Sequence, residues 1–194
     1  MRIAGTVGGM TEIALEQGGT ANAAAAGVIP RASLVVRAFS SPHEVNGLHS
    51  VLAVAADLGA ENRARAEVQR VLSDPRSDEH VVAAALRAIH DHDVTRSVLV
   101  ERIDVWAAGQ FGESSARLLH TESLGQLADR LAAAWVRSRL LAEDDNPAAR
   151  DPAKLALHRL GELCIGYDDL VADLLGGRRR LPIYQVLTGH DVAA

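Results

Sequence analysis

The residues of this chain whose types could do chemistry gather in its middle and towards its end. His90-Asp91-His92-Asp93 sets two imidazoles and two carboxylates side by side, the donor types that bind transition metals. Adjacent helical residues point about 100° apart, so His90 and His92 cannot share a face, and no metal site is expected there. His158 and Glu162 are four apart and can share a face, but it lies away from the apolar stripe, where a solvated pair is the simpler reading. The paired Glu-x-x-His signature of carboxylate-bridged di-iron bundles does not occur. Cys164 falls on an apolar stripe, as a small core residue would. No Ser lies in a Gly-x-Ser-x-Gly setting, and the N-terminal glycines lack the Gly-Lys-Ser/Thr ending of a phosphate loop. No cofactor is expected.

A second group shows itself through periodicity. Val82, Leu86 and Ile89, then Val100, Ile103 and Ala107, recur at spacings of three and four, which puts them on one helical face. The same spacing carried through the gap lands on Asp93 and Arg96, with His92 beside them. Upstream, Leu48, Val51, Leu52, Ala55 and Leu58 lead onward to Asn62, Ala66 and Gln69, so that stripe also turns polar halfway. Downstream, Leu160, Cys164, Tyr167, Val171 and Leu174 bring a phenol into the same interior. Unpaired ionised groups in a core are costly, so these residues either satisfy one another or line a solvated cleft. The cleft reading makes Asn62, His92, Asp93, Arg96 and Tyr167 a ligand pocket, with Glu122, Asp129 and Arg130 nearby or at a second site. Arg is then the fixed cation and His the titratable base. Arg178, Arg179 and Arg180, with Tyr184, form a separate candidate for an anion or an acidic partner; their simpler role is to complement the C-terminal end of the last helix.

The elements that must position these groups are helices, marked off by their breakers. The first runs from about Val45 to Leu72 and stops at Ser73-Asp74-Pro75, because Pro disfavours helical geometry in the residue before it. The second opens near Ser77 or Asp78 and runs to about Ala108. The third begins at Thr121-Glu122-Ser123, whose hydroxyls can cap its first turn, and ends before Asn146-Pro147. The fourth starts near Asp151-Pro152, Asp capping and Pro in the first helical position, and ends at Gly176-Gly177. Leu124, Leu127, Leu131, Trp135 and Ala142 share the third helix's inner face with Ser138. A long helix, a Pro-containing turn and a long helix thus occur twice. Two such hairpin repeats predict an all-α, antiparallel four-helix bundle. Residues 1–42 are expected as a flexible N-terminal tail, 43–187 as the bundle domain and 188–194 as a C-terminal tail.

Composition agrees with one helical domain. Of 194 residues 48% are hydrophobic but only 3% aromatic, so the core must be built from Ala, Leu and Val, which suit close helix packing. The net charge of −5 gives the counterion release that drives nucleic-acid binding little to work with. Of the 20 basic residues only Lys154 is lysine, which fits a composition bias. A single cysteine cannot close an intrachain disulfide. No apolar run approaches the roughly 20 residues of a spanning helix, and the N-terminus lacks the regions of an export signal. A cytoplasmic protein with no membrane insertion is expected.

Three stretches resemble a bacterial α-helical family catalogued only as a domain of unknown function. They are Thr121-Glu122-Ser123-Leu124-Gly125 followed by Asp129-Arg130-Leu131; Arg96 followed by Leu99-Val100-Glu101-Arg102-Ile103-Asp104; and Gly177-Arg178-Arg179-Arg180-Leu181-Pro182-Ile183-Tyr184. Together they span about residues 45–187. Where that family carries an aromatic, then His, then Glu-Asp in its first helix, this chain reads Asp57-Leu58-Gly59-Ala60-Glu61-Asn62, without the histidine and the second carboxylate. The resemblance implies a fold and supplies no activity. No catalytic constellation emerges from the residues, so the expected function is that of a helical bundle working through protein partners or self-association. The rival expectation is a small anionic-ligand binder or enzyme with a polar pocket inside the bundle.

Overall fold

A computed structural model describes residues 29–40, 50–111 and 116–182; Tyr184, the fourth residue of the anion candidate, lies outside them. Five α-helices dominate: α1 (Ala32–Ser40), α2 (Ser50–Leu72), α3 (Glu79–Phe111), α4 (Leu124–Ala142) and α5 (Arg150–Leu175). Two short strands, β1 (Leu118–Leu119) and β2 (Arg179–Arg180), form a parallel ladder pairing Leu118 with Arg179 and Leu119 with Arg180. Neither strand is foreseen by an all-α reading, since each is too short for any alternation to register.

The helix boundaries follow from side chains that satisfy terminal amides. Asp78 Oδ1 accepts from Val81 N at 2.9 Å at the start of α3. Ser123 caps α4 in a reciprocal box with Gln126, which meets two of the donors a helix start leaves orphaned. Asn146 caps a single 3-10 turn at Pro147–Ala149, and α5 continues from it. The cap therefore sits five residues before Asp151, which belongs to the first turn of α5. At the other end Gly177 takes φ +63° and reverses the chain, a conformation that favours glycine.

Helices α2 and α3 pair along their length, as do α4 and α5, and α4 also lies against α2 and α3. Helix α1 packs against α2, α4 and α5. Its place corrects the expected 1–42 tail: Ile29, Ala32, Val35, Ala38 and Phe39 are all buried in the common core. The physical reason is that these apolar residues recur at about helical spacing behind Pro30, while the Gly- and Ala-rich composition upstream hides so short an element. Two features seat α1. Ala32 N donates to Asp168 Oδ1 of α5 at 2.8 Å, placing a carboxylate at the positive end of the helix. Gly59 of α2 leaves room for Phe39, since a Cβ at that position would stand 2.9 Å from its ring. Phe39 in turn meets Trp135 of α4 with ring centroids 5.9 Å apart. One expected stripe is also corrected. Leu86 is 55% exposed while Ala85 is buried; the other buried residues of α3 all lie from Leu99 onward, so its first half turns only a narrow face inward.

Candidate functional site

Three of the seam residues, Asn62, Asp93 and Arg96, come together with Asp129 where α2, α3 and α4 meet. Arg96 of α3 donates from Nε to Asp129 Oδ1 at 3.1 Å and from Nη2 to Asp129 Oδ2 at 2.5 Å. Its Nη1 donates to Asp93 Oδ1 at 2.7 Å. Asn62 of α2, only 6% exposed, donates its amide to Asp129 Oδ1 at 2.9 Å and to the Leu58 carbonyl at 3.0 Å. Arg65, one turn after Asn62, closes the chain by donating to both oxygens of Asp93, at 2.7 and 3.3 Å. The order Arg65, Asp93, Arg96, Asp129, Asn62 alternates cation and anion and ends on a neutral amide. Fork-shaped guanidinium contacts of this kind fix geometry as well as charge.

The electrostatics follow the geometry. The Arg65 hydrogen bond holds the Asp93 carboxyl below the usual aspartate range, with Arg96 adding to it against the effect of burial. Burial works against the charge on Arg96, yet Asp129 and Asp93 outweigh it and tighten its hold on the proton. His92 joins a neighbouring couple, with Nδ1 2.7 Å from Glu61 Oε2. A carboxylate on one ring nitrogen orients an imidazole and fixes its tautomer.

The remaining candidates lie elsewhere. Tyr167 is buried in an apolar setting with Pro30, Val35, Leu52 and Ile103, not beside Arg96, and burial raises its phenol. Glu122 pairs with Arg130 at 2.5 Å in front of α4, separate from Asp129. Arg178 and Arg179 both turn to Asp173, at 2.8 and 3.5 Å, and Arg178 draws that carboxyl down. Arg180 contributes its carbonyl to His120 N at 2.8 Å, extending the β ladder.

Two participants escape a reading of the sequence. Arg65 lies off the apolar stripe, and its only signal is the three-residue spacing from Asn62. Asp104 is 6% exposed directly after the core residue Ile103. Its Oδ1 accepts from Gly125 N at 2.7 Å, while its buried Oδ2 has no partner among the described residues. Burial raises this carboxyl against the opposing pull of the Gly125 amide and the Ser123 hydroxyl. The junction is tight: a Cβ on Gly125 would collide with the Val100 carbonyl oxygen.

Beside the network an open groove of about 1150 Å³ runs between the second halves of α2 and α4. Asn62 and Arg65 belong to both the network and the groove wall; Ala66, Ala133, Ala134, Leu140 and Leu141 supply apolar lining. Arg63 reaches across to Glu143 at 3.2 Å. Arg70 and Arg137 line the groove with no acidic partner among the described residues. Among those residues no group of three or more His, Cys, Asp or Glu side chains is arranged to hold a metal ion, and no helix is long and apolar enough to cross a membrane.

In comparison with known proteins, the family described as "Protein of unknown function (DUF4254)" matches residues 54–183. No curated protein and no solved structure matches the chain.

Proposed function

The chain belongs to the DUF4254 family, and from that premise we propose that it works without catalysis, by engaging another polypeptide along the α2–α4 groove. The observation that carries this reading is that the seam spends its charges on itself. Arg96 directs all its described hydrogen bonds to Asp93 and Asp129, so no guanidinium edge is held open for a substrate. The network then serves as a clamp that fixes α2, α3 and α4 in register, a role buried polar groups fill in other proteins. This reading takes α2–α3 and α4–α5 as two antiparallel hairpins of one bundle, splayed where the groove opens. An elongated trough with apolar lining and charged rims suits a helical segment laid lengthwise. Small-molecule sites are commonly enclosed and of roughly 300–1,000 Å³, whereas this one is open.

A photo-crosslinking side chain at Leu141, compared with one at Leu86 on the outward side of α3, tests the reading in the protein's own cells. A polypeptide adduct from position 141 and none from 86 is expected; equal labelling, or none at 141, overturns it. One observation favours a second reading, a small anionic ligand: the unpaired Arg70 and Arg137 share the groove. That reading takes over if a phosphorylated or carboxylic metabolite raises the unfolding midpoint and Arg137→Ala abolishes the effect.

A further inference from the structure

We propose that the chain pairs with a second copy of itself through the outward face of α5, the two helices running antiparallel about a two-fold axis at Gly161. The inference does not rest on the groove, none of whose lining belongs to α5.

Helix α5 is covered on one side, where Ala156, Leu160, Tyr167, Leu170, Val171 and Leu174 are buried. Round the helix from them, Leu157 and Ile165 are 62% and 65% exposed, more than any other large apolar side chain among the described residues. They stand four residues before and four after Gly161, which puts all three on one face. The fold gives no reason for that glycine. A glycine inside a helix costs stability relative to alanine, yet a Cβ here would meet nothing within 4 Å. Bare backbone between two large apolar side chains lets another helix approach closely and pack against both.

The charges along α5 identify that helix. Before Gly161 come Arg150, Lys154 and Arg159 against the single acid Asp151; after it come Glu162, Asp168, Asp169 and Asp173, with no Arg or Lys. Asp151 apart, this order is the reverse of what the helix dipole favours. A parallel copy would set like charge on like. In an antiparallel copy Leu157 meets Ile165, and Lys154, seven residues before the axis, meets Asp168, seven after it; Arg150 comes within a turn of Asp169. Asp168 already accepts from Ala32 N through Oδ1, and Asp173 is spent on Arg178 and Arg179. Two like pairs fall on the flank, Asp151 with Asp169 and Glu162 with its counterpart. Each is tempered within its own helix, Asp151 by Lys154 at 3.2 Å and Glu162 by His158 at 3.4 Å. The face therefore asks for large apolar side chains four residues to either side of a small one, between a basic end and an acidic end. Helix α5 reversed is such a helix, and a two-fold axis makes the match twice and closes the assembly.

The test uses the full chain and sedimentation velocity over a concentration series. A contact of one helix on one helix is small, so wild type is expected as a reversible monomer–dimer system. Gly161→Gln fills the gap and should weaken the dimer about tenfold or more, while the monomer's unfolding midpoint holds or rises because Gln is the better helix former. Orientation is read by disulfide crosslinking on a Cys164→Ser background. Leu157→Cys mixed with Ile165→Cys should give a linked mixed dimer. Neither should link alone, because an antiparallel pair holds identical positions four residues from the axis about 12 Å apart along it. A wild-type chain that stays monomeric at all concentrations, a Gly161→Gln dimer of wild-type strength, or linking of Leu157→Cys to itself overturns the inference.

Discussion

Replacing Arg96 by Met keeps most of the side chain's aliphatic bulk and removes its charge, which isolates what the guanidinium does. Three hydrogen bonds to carboxylates disappear, at 3.1, 2.5 and 2.7 Å. Asp93 retains Arg65, but Asp129 keeps only the Asn62 amide. The Asp129 side chain is 19% exposed, so its stranded charge is mostly withdrawn from water. Breaking a buried pair costs about 3–5 kcal/mol, and the residual exposure argues for the lower end, about 3 kcal/mol. With a urea slope of about 2 kcal/mol per molar, the midpoint should fall by about 1.5 M. Asp129→Leu alone should cost about 2 kcal/mol, since Arg96 still holds Asp93. The double variant removes both charges and should cost about 2 kcal/mol as well, far from the sum, because neither partner is left unpaired. The assay is urea unfolding followed by circular dichroism at neutral pH. If Arg96→Met falls within about 0.5 kcal/mol of wild type, or the double variant is additive to that margin, the clamp account is wrong.

Two further outcomes follow from groups outside the network. Asp104 has its carboxyl raised above the ordinary 3.8 by burial, so the folded chain binds a proton there more tightly than the unfolded one. The stability this contributes is full below pH 3.8 and is lost as pH rises through the folded value. Asp104→Asn, which cannot ionise, should flatten that part of a stability-versus-pH curve; an unchanged slope would count against the assignment. Phe39→Ala should cost about 3 kcal/mol through the emptied space between α1, α2 and α4, and should weaken the near-ultraviolet dichroism of Trp135. If residues 29–40 were an undocked tail, neither quantity would move.

Much of this architecture is legible in the residues. Breakers at Ser73-Asp74-Pro75, Asn146-Pro147 and Gly176-Gly177 mark helix ends within a few positions because their effects are local. The convergence of Asn62, Asp93 and Arg96 can be read as well, since each interrupts an apolar stripe whose period is known. Their partner Asp129 stands out only through the motif it shares with the resembled family, because nothing in helical periodicity ties α4 to α2. The features that escape depend on distance in space. Asp168 meets the amide of Ala32 from the far end of the chain. Gly125 matters because a carbonyl of another helix lies against it, and Leu86 turns outward on the half of α3 where Ala85 alone is buried.

The β ladder has a mechanical consequence. It ties the chain entering α4 to the chain leaving α5, and its strands are parallel. Tension arriving at residue 116 and leaving at residue 182 therefore draws β1 and β2 past each other along their length. In that loading direction the backbone bonds share the force, including the one from His120 N to Arg180 O; antiparallel strands pulled from the same two points would peel apart one bond at a time. The pair of helices between them becomes a closed lobe whose base resists traction from either side.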